Sequence, residues 1–292
     1  MSRSQLNEIL TDYDGVLAGE IALPISPRLI LELKGSDRIR YLNGQVTSDV
    51  ASLQEKHSQY SSICTNKGKM VGDGWISKNT DSFFVDADPS LEETLTARLD
   101  RYIIADDVEL VDVSQSWKIF HLITQRQLDA KLTFQSKRYN TPGIDIWLPA
   151  DQEYEQPVCS AKTATAIRIE AAMPLWGKDI SEKSLPPEGN LDKLAISYSK
   201  GCYTGQEPIA RIKSKGHVNK KLCLLKTDHD TCPNLPTELT RNGEKSGILT
   251  SSSFSPKHQA IIALGLIKRG LQETGTQHTS GDIIWEIIDL PY

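Results

Sequence analysis

Hydrophobic and polar positions alternate in short runs through the first third of the chain, and the runs are bounded by glycine, asparagine and aspartate. Residues 29–34 (LILELK) predict a strand. Gly35–Ser36 then opens a helix whose apolar positions Ile39, Leu42 and Val46 fall near one face. Three strand-like runs follow at 58–65, 69–77 and 82–87, with turns at Asn66–Gly68 and Lys78–Asp81. Ser90-x-x-Glu93 reads as a capping box ahead of a helix carrying Leu91, Leu95 and Leu99 at helical spacing. Residues 108–113 (VELVDV) close the set as a strand. The order β-α-β-β-β-α-β predicts a two-layer α+β unit related to split βαβ arrangements.

Further short strands are expected between 115 and 150, with Thr141-Pro142-Gly143 as a turn, and residues 151–160 read as a polar loop. Lys162–Ala172 reads as helix. The stretch from Pro174 to Asn190 is rich in proline and glycine, and a long irregular segment of this kind is more often functional than core. Helical spacing returns at Leu191, Leu194, Ala195 and Tyr198 and runs to Gly201. Beyond about 216 the pattern changes to strands at 221–227, 237–241, 245–252, 259–268 and 282–288. The Asn242-Gly243 pair there suits a type I′ hairpin, and the whole predicts a small all-β barrel or sandwich.

A length of 292 residues fits two or three domains. With 33 Lys and Arg against 38 Asp and Glu the net charge is −5, which disfavours non-specific coating of DNA and polybasic attachment to membranes. The longest apolar stretch, Ala260–Ile267, is far below the ~20 residues of a spanning helix. Residues 1–12 carry Glu8 and Asp12 and no apolar core of a signal peptide, so a soluble cytoplasmic protein is the expectation. Five cysteines, no CxxC and no HExxH leave no zinc site to expect and suggest reduced thiols.

Candidate chemistry concentrates in Lys200-Gly201-Cys202-Tyr203-Thr204-Gly205-Gln206-Glu207. Two glycines bracket the thiol, so the backbone there can turn tightly or approach a ligand. Lys200 lies close by, and Thr204-x-x-Glu207 can cap a following helix, in which Pro208 is tolerated only in the first turn. A cation and a helix N-terminus both favour thiolate, although spacing alone equally allows a buried structural cysteine. Arg211, Lys213, Lys215, His217, Lys220 and Lys221 follow without a carboxylate. They suit phosphates, a polyglutamate tail, an RNA backbone or merely a solvated loop. Glu170, within Ile167–Ala172, can accept two hydrogen bonds from the edge of a pterin or purine, or stand as an ordinary helix glutamate. Asp73 sits between Gly72 and Gly74, which either make room for a ligand or form a bulge.

The Lys200–Glu207 segment, with Ala210-Arg211 after it, resembles the KGCYxGQE signature of the YgfZ family, folate-binding relatives of the glycine-cleavage T-protein. Tyr41–Val50 resembles that family's LxGQxTxD segment, and Asn66–Lys69 its KG(K/R) turn. Arg168–Asp179 and Pro187–Leu191 resemble its central folate-side segments, while Gly247–Ser252 and Ala263–Arg269 resemble its barrel. The resemblance covers nearly the whole chain. It implies three domains around a central channel for tetrahydrofolate, or a one-carbon derivative of it. On this reading residues 1–114 form a ferredoxin-like α+β part. Residues 115–215 form a central α+β part interleaved with it, and 216–292 a C-terminal β-barrel.

The resemblance also implies a function in the assembly or repair of iron–sulfur enzymes, some of them tRNA-modifying, with client iron–sulfur proteins as partners. Glu170 occupies the position of a pterin-contacting glutamate, with Arg168 and Trp176 expected to frame the ring and the glutamate tail directed toward the cations. Glu188, Tyr203, Gln206 and Arg211, in the matched segments, join them as expected folate contacts. Cys202, Lys200 and Asp73 are the expected reactive groups. The T-protein relatives carry an Asp-Asp pair where this chain has Gly72-Asp73, so glycine cleavage is not expected. A folate-dependent one-carbon transferase working through Asp73 and an RNA-associated adaptor working through the 211–221 cations stand as the alternatives.

Overall fold

The computed structural model describes residues 3–126 and 132–292. It begins with α1 (Arg3–Leu17), an element absent from the sequence-based expectation, and a two-residue strand β1 (Leu23–Pro24). Then come β2 (Leu29–Lys34), α2 (Arg38–Gln45), β3 (Ser58–Cys64), β4 (Met70–Lys78), β5 (Phe83–Ala87), α3 (Glu92–Asp100) and β6 (Glu109–Asp112), in the expected order. The five strands form an antiparallel sheet ordered β3-β4-β5-β2-β6.

Period-two patterning explains how this sheet is buried on both faces. Leu29, Leu31 and Leu33 of β2 face Leu42 of α2 and Leu95 and Leu99 of α3. Ile30 points the other way, with Phe84, into a second core built by Ile119, Phe134 and Trp147. Those residues belong to β7 (Trp117–Leu122), β8 (Leu132–Ser136) and β9 (Gly143–Pro149), a four-stranded sheet ordered β1-β7-β9-β8. Its Trp147 ring lies 5.0 Å from that of Phe84, so the two sheets interlock through aromatic side chains.

The helix α4 (Ala161–Glu170) is capped by the Ser160 hydroxyl, which accepts from the Thr163 amide. One side of α4 receives Tyr13 and Val16 of α1 at Ile167. Ile169 and Ala172, on the other side, pack on Leu222, Leu224, Ile262 and Leu264 of the barrel. After α4 the chain runs irregularly to a single helical turn α5 (Leu191–Leu194) and then α6 (Gln206–Lys215). The last part is a closed barrel, β10-β13-β12-β11-β14-β15 in spatial order. Its strands are β10 (Lys220–Thr227), β11 (Thr237–Arg241), β12 (Glu244–Ser255), β13 (Ala260–Lys268), β14 (Gln277–Ser280) and β15 (Ile283–Ile288). Asn242 and Gly243 have φ of 52° and 79°, the two positive values of the expected type I′ turn.

Four local expectations are corrected. Ser90-x-x-Glu93 makes no capping box, because Asp88 accepts from the Ser90 amide and starts a tight turn that precedes α3. Ile39 is exposed while Tyr41 and Leu42 carry the buried face of α2. Helix at 191–201 stops after Leu194, since Thr47 takes over the following backbone: its hydroxyl donates to the Ala195 carbonyl at 2.7 Å and its own carbonyl accepts from the Ser197 amide. β14 adds a barrel strand that polar residues 277–280 did not signal.

Candidate functional site

The exposed ends of the interlocked sheets leave β3 and β4 open toward the irregular segment after α4, and a cavity of about 180 Å³ forms there. Alternation along β4 puts Asp73 and Trp75 on the same face, and Tyr60 of β3 is the cross-strand partner of Trp75. The Tyr60 and Trp75 rings stack with centroids 5.3 Å apart and planes 22° from parallel. Met173 and Trp176 from the irregular segment close the opposite wall. A second cavity of about 440 Å³ shares Tyr60, Trp75 and Met173 with the first and extends past Gln59 and Gln135 to Lys193 and Leu194 of α5. The two hollows therefore meet across one aromatic pair.

Asp73 is only 8% exposed and accepts a hydrogen bond from the Tyr60 hydroxyl. Burial raises its carboxyl to about 6, against the smaller opposing effects of the Tyr60 hydrogen bond and the Arg28 charge. The flanking glycines do not make room for a ligand. A Cβ on Gly72 would come within 2.9 Å of Leu91, and one on Gly74 within 2.7 Å of the Asp86 carbonyl, so both permit close packing of β4. Behind the cavity, Arg138 donates to Asp86 at 2.5 Å and to Asp145 at 2.8 Å, and Arg28 donates to Asp86 at 2.9 Å. Asp145 also takes the Nδ1 of buried His121 at 2.8 Å. This network fixes the Arg138 guanidinium 5.0 Å from the centre of the Trp75 ring.

The segment from Lys200 to Glu207 seats on the two other motifs near the start of the chain. The Lys200 ammonium donates to the carbonyls of Asn43 (2.6 Å), Val46 (2.9 Å) and Ser48 (2.6 Å). These bonds use all three donors of an ammonium, and burial lowers the group to about 8. Lys200 is thus a tether for the 43–48 loop, and the expectation that it stands beside Cys202 to stabilise a thiolate is corrected. Thr204 donates its amide to Gly44 at 3.0 Å. Gly205, at φ 87°, lies against the 64–68 turn, where a Cβ would sit 2.6 Å from the Thr65 carbonyl. Gly201 faces open space, so only one of the two glycines answers to a close approach.

Gly205 is the N-cap of α6 and no side chain caps it, so the expected Thr204-x-x-Glu207 box is not formed. Pro208 falls in the first turn, as its missing amide requires, and packs on Gly68. Cys202 is exposed, whereas Cys64, Cys159 and Cys223 are buried and burial pushes each of those thiols up to about 12. Tyr203 is buried against Cys64 and Ile209 and serves as a packing anchor. The Gln206 side chain lies 3.5 Å from the Lys200 carbonyl, and Arg211 is exposed on α6. Ser48, which Lys200 holds, accepts at its hydroxyl from Gln59, a wall of the larger cavity. Two hydrogen bonds therefore link the thiol's loop to that cavity.

Glu170 does not share a cavity with Arg168 and Trp176. Its carboxylate accepts from Tyr13 of α1 at 2.6 Å and from Ser255 at the end of β12, and it borders another hollow, with Lys257, that shares Tyr139 with the first cavity and Asn140 with the second. Arg168 is committed to Asp179 and the Met173 carbonyl while bordering the first cavity. Glu188 accepts from the Leu185 amide in a tight turn. Sequence reasoning missed Tyr60, Trp75, Arg28 and Arg138. For the first two the signal was present, because pairing 58–64 with 70–78 through the Asn66–Gly68 turn places them opposite one another. Among the described residues no group of three or more His, Cys, Asp or Glu is placed to hold a metal ion, and no helix is long and apolar enough to cross a membrane.

Residues 220–281 match the family described as the glycine cleavage T-protein C-terminal barrel domain. Over 286 residues the chain is 26% identical to the tRNA-modifying protein YgfZ of Aliivibrio fischeri, covering 90% of this chain and 89% of that one. It is 27% identical over 278 residues to an aminomethyltransferase of Desulfitobacterium hafniense, covering 81% and 75%. The solved aminomethyltransferase T of Bartonella henselae superposes with a TM-score of 0.84 at 17% identity, over 97% of this chain and 89% of that one, which establishes the shared architecture. In sequence the chain is a relative of the YgfZ proteins and in fold a relative of the glycine-cleavage T-protein, the kinship that the Lys200–Glu207 segment implied.

Proposed function

We propose that this chain is a folate-binding protein that supports iron–sulfur enzymes, tRNA-modifying ones among them, with Cys202 as its working thiol. The observation that carries the folate reading is the first cavity: a buried carboxylate with one side-chain donor, set between stacked aromatic rings and a fixed guanidinium, in a T-protein fold. These residues fit a reduced pterin. The ring's amino and N–H edge offers two donors in a plane, and Asp73 keeps acceptor positions that Tyr60 does not fill. Trp75 and Trp176 offer apolar walls. Glu170, already accepting from two hydroxyls, acts in this reading as a structural link, and the carboxylate partner passes to Asp73. A bound tetrahydrofolate supplies nitrogens able to carry a one-carbon unit.

Cys202 lines neither cavity, and its exposure suits contact with another protein better than attack on a carbon inside the channel. A lone cysteine cannot hold a cluster by itself, so it meets sulfur, iron or a client thiol transiently. Two measurements test the reading. Asp73→Asn is expected to weaken tetrahydrofolate binding by about tenfold to a hundredfold by calorimetry. Cys202→Ser is expected to leave that affinity unchanged and to lower iron–sulfur enzyme activity in cells lacking the native protein. Unchanged activity in those cells removes the thiol's role.

One observation favours a second reading, that of a one-carbon transferase. An Asp73 carboxyl near 6 is poised to exchange a proton at neutral pH. Turnover of methylene-tetrahydrofolate with candidate acceptors, abolished in Asp73→Asn, would establish it.

A further inference from the structure

Beside α6 lies a hollow of about 540 Å³ that shares no lining residue with the first cavity, and its walls are cationic. Lys213 enters it from α6, Lys193 from α5, Lys221 from the start of β10 and Arg269 from just beyond β13. Among its described lining residues Asp192 is the one carboxylate, 3.9 Å from Lys221. On α6 itself Arg211, Lys213 and Lys215 are all exposed, and the sequence holds no carboxylate between 208 and 227. In a chain of net charge −5, a concave surface with this balance draws an anionic partner.

Two features decide what kind of anion fits. The nearby aromatic faces are already covered by cations: Lys213 lies 3.5 Å from the centre of Tyr198, and Lys193 lies 5.3 Å from that of Tyr292. A single-stranded nucleic acid gains by stacking its bases on open rings, and these rings are not open. Carboxylates need only the charged groups that remain. The hollow also adjoins the thiol. Tyr198, one of its walls, packs in one small core with Tyr203, the residue that follows Cys202. Cys202 is exposed and stands four positions before the first residue of α6, a helix whose ten residues span about 15 Å. An interface of ordinary size covers ~800 Å² on each partner, a patch roughly 30 Å across, so a single docked protein covers both the thiol and the cations.

We infer that the hollow beside α6 docks an acidic segment of a client protein and so brings that client's own sulfur or cluster to Cys202. The inference rests on the reading of Cys202 as a thiol that meets other proteins, and it names the chemistry by which such a protein is recognised. The segment's carboxylates take the places that Asp192 alone fills in the free chain, and the partner is attracted before any sulfur contact is made.

The test uses the full chain and two synthetic peptides, each carrying a cysteine as its 2-thiopyridyl disulfide at one end of a glycine–serine spacer. A spacer of about six residues reaches ~20 Å when extended. One peptide ends in a run of glutamates and its companion in an equal run of glutamines. In the exchange the Cys202 thiolate bonds to the peptide's cysteine sulfur, the bond from that sulfur to the thiopyridyl group breaks, and thiopyridine leaves with the electron pair, its absorbance giving the rate. The glutamate peptide is expected to react about tenfold faster than the glutamine peptide, with an advantage that falls as salt is raised. In a Lys213→Ala, Arg269→Ala double variant the advantage should drop to within about twofold, while the glutamine-peptide rate and the thermal melt match wild type. Cys202→Ser should remove the fast reaction; its survival there places the exchange on another thiol and overturns the inference. Equal rates for the two peptides on the wild type, or an advantage that the double variant retains, also overturn it and leave the reading of Cys202 standing. Failure of both peptides to react at Cys202 overturns that reading as well. Should a short single-stranded RNA bind the wild type more tightly than the glutamate peptide and lose that affinity in the double variant, the hollow is an RNA contact and the inference fails.

Discussion

Two carboxylates in this molecule begin from the same arrangement and end differently. Asp73 and Glu170 are each 8% exposed, and each accepts a hydrogen bond from a tyrosine hydroxyl, Tyr60 in one case and Tyr13 in the other. Glu170 has a second donor in Ser255 and so ties α1, α4 and β12 together. Asp73 has no second side-chain donor and faces a hollow walled by aromatic rings. A buried carboxylate whose lone pairs are answered by its own protein is a fastening. One whose lone pairs remain partly unanswered bears a desolvation cost that a ligand can relieve. Burial depth does not separate the two; the count of side-chain donors does.

The largest effect that tests this contrast is one of pH. The folded Asp73 carboxyl is raised from 3.8 to about 6, so between these values the native state keeps a proton that the unfolded chain has released. Stability contributed by that proton is full below about 4 and is lost as pH rises through about 6, a swing of about 3 kcal/mol for a shift of this size. Asp73→Asn carries no such charge and should gain stability relative to wild type by up to that amount between pH 4 and pH 7.5, read from urea midpoints. A constant difference across the range would mean Asp73 is not the desolvated group described.

Glu170→Ala should behave in the opposite sense. It leaves the Tyr13 hydroxyl without its acceptor and loosens Ser255, for a loss of about 1–3 kcal/mol of stability at neutral pH. Calorimetry on the same variant should find tetrahydrofolate affinity unchanged; a tenfold weakening would return the pterin contact to Glu170. The smallest effects come from the tyrosines. Tyr13→Phe should cost about 0.5–1.5 kcal/mol, without a change in ligand affinity. Tyr60→Phe removes a hydrogen bond that holds the Asp73 carboxyl down, so its titration, followed by carboxyl NMR, should move further upward.

Legibility in the sequence followed the range of the interactions. β2, α3 and the barrel strands were readable because period-two or helical spacing is a local property, as Leu29, Leu31 and Leu33 show. The α+β class and the closed barrel could be anticipated, and the YgfZ resemblance pointed to the relatives that the chain matches. Lys200 was misread because its three acceptors lie more than 150 positions away, at Asn43, Val46 and Ser48. Capping boxes at Ser90 and Thr204 failed for a related reason: Asp88 and the fit of Gly205 against Thr65 decided where those helices begin. Arg138 gave no signal at all, since only the folded network of Asp86, Asp145 and His121 distinguishes it from a surface arginine.

The bond between Tyr13 and Glu170 joins residues 157 positions apart, and its companion comes from Ser255, another 85 positions along the chain. During synthesis the helix at 3–17 leaves the ribosome with Ile9, Tyr13 and Val16 uncovered, long before α4 and β12 have been made. Its apolar stripe must wait in solution, or be held by a chaperone, until α4 has emerged, more than half the polypeptide later. A ribosome stalled before α4 is made should therefore display a chain whose α1 is still cut readily by protease, while the β3-β4-β5-β2-β6 sheet, complete by residue 112, already resists it.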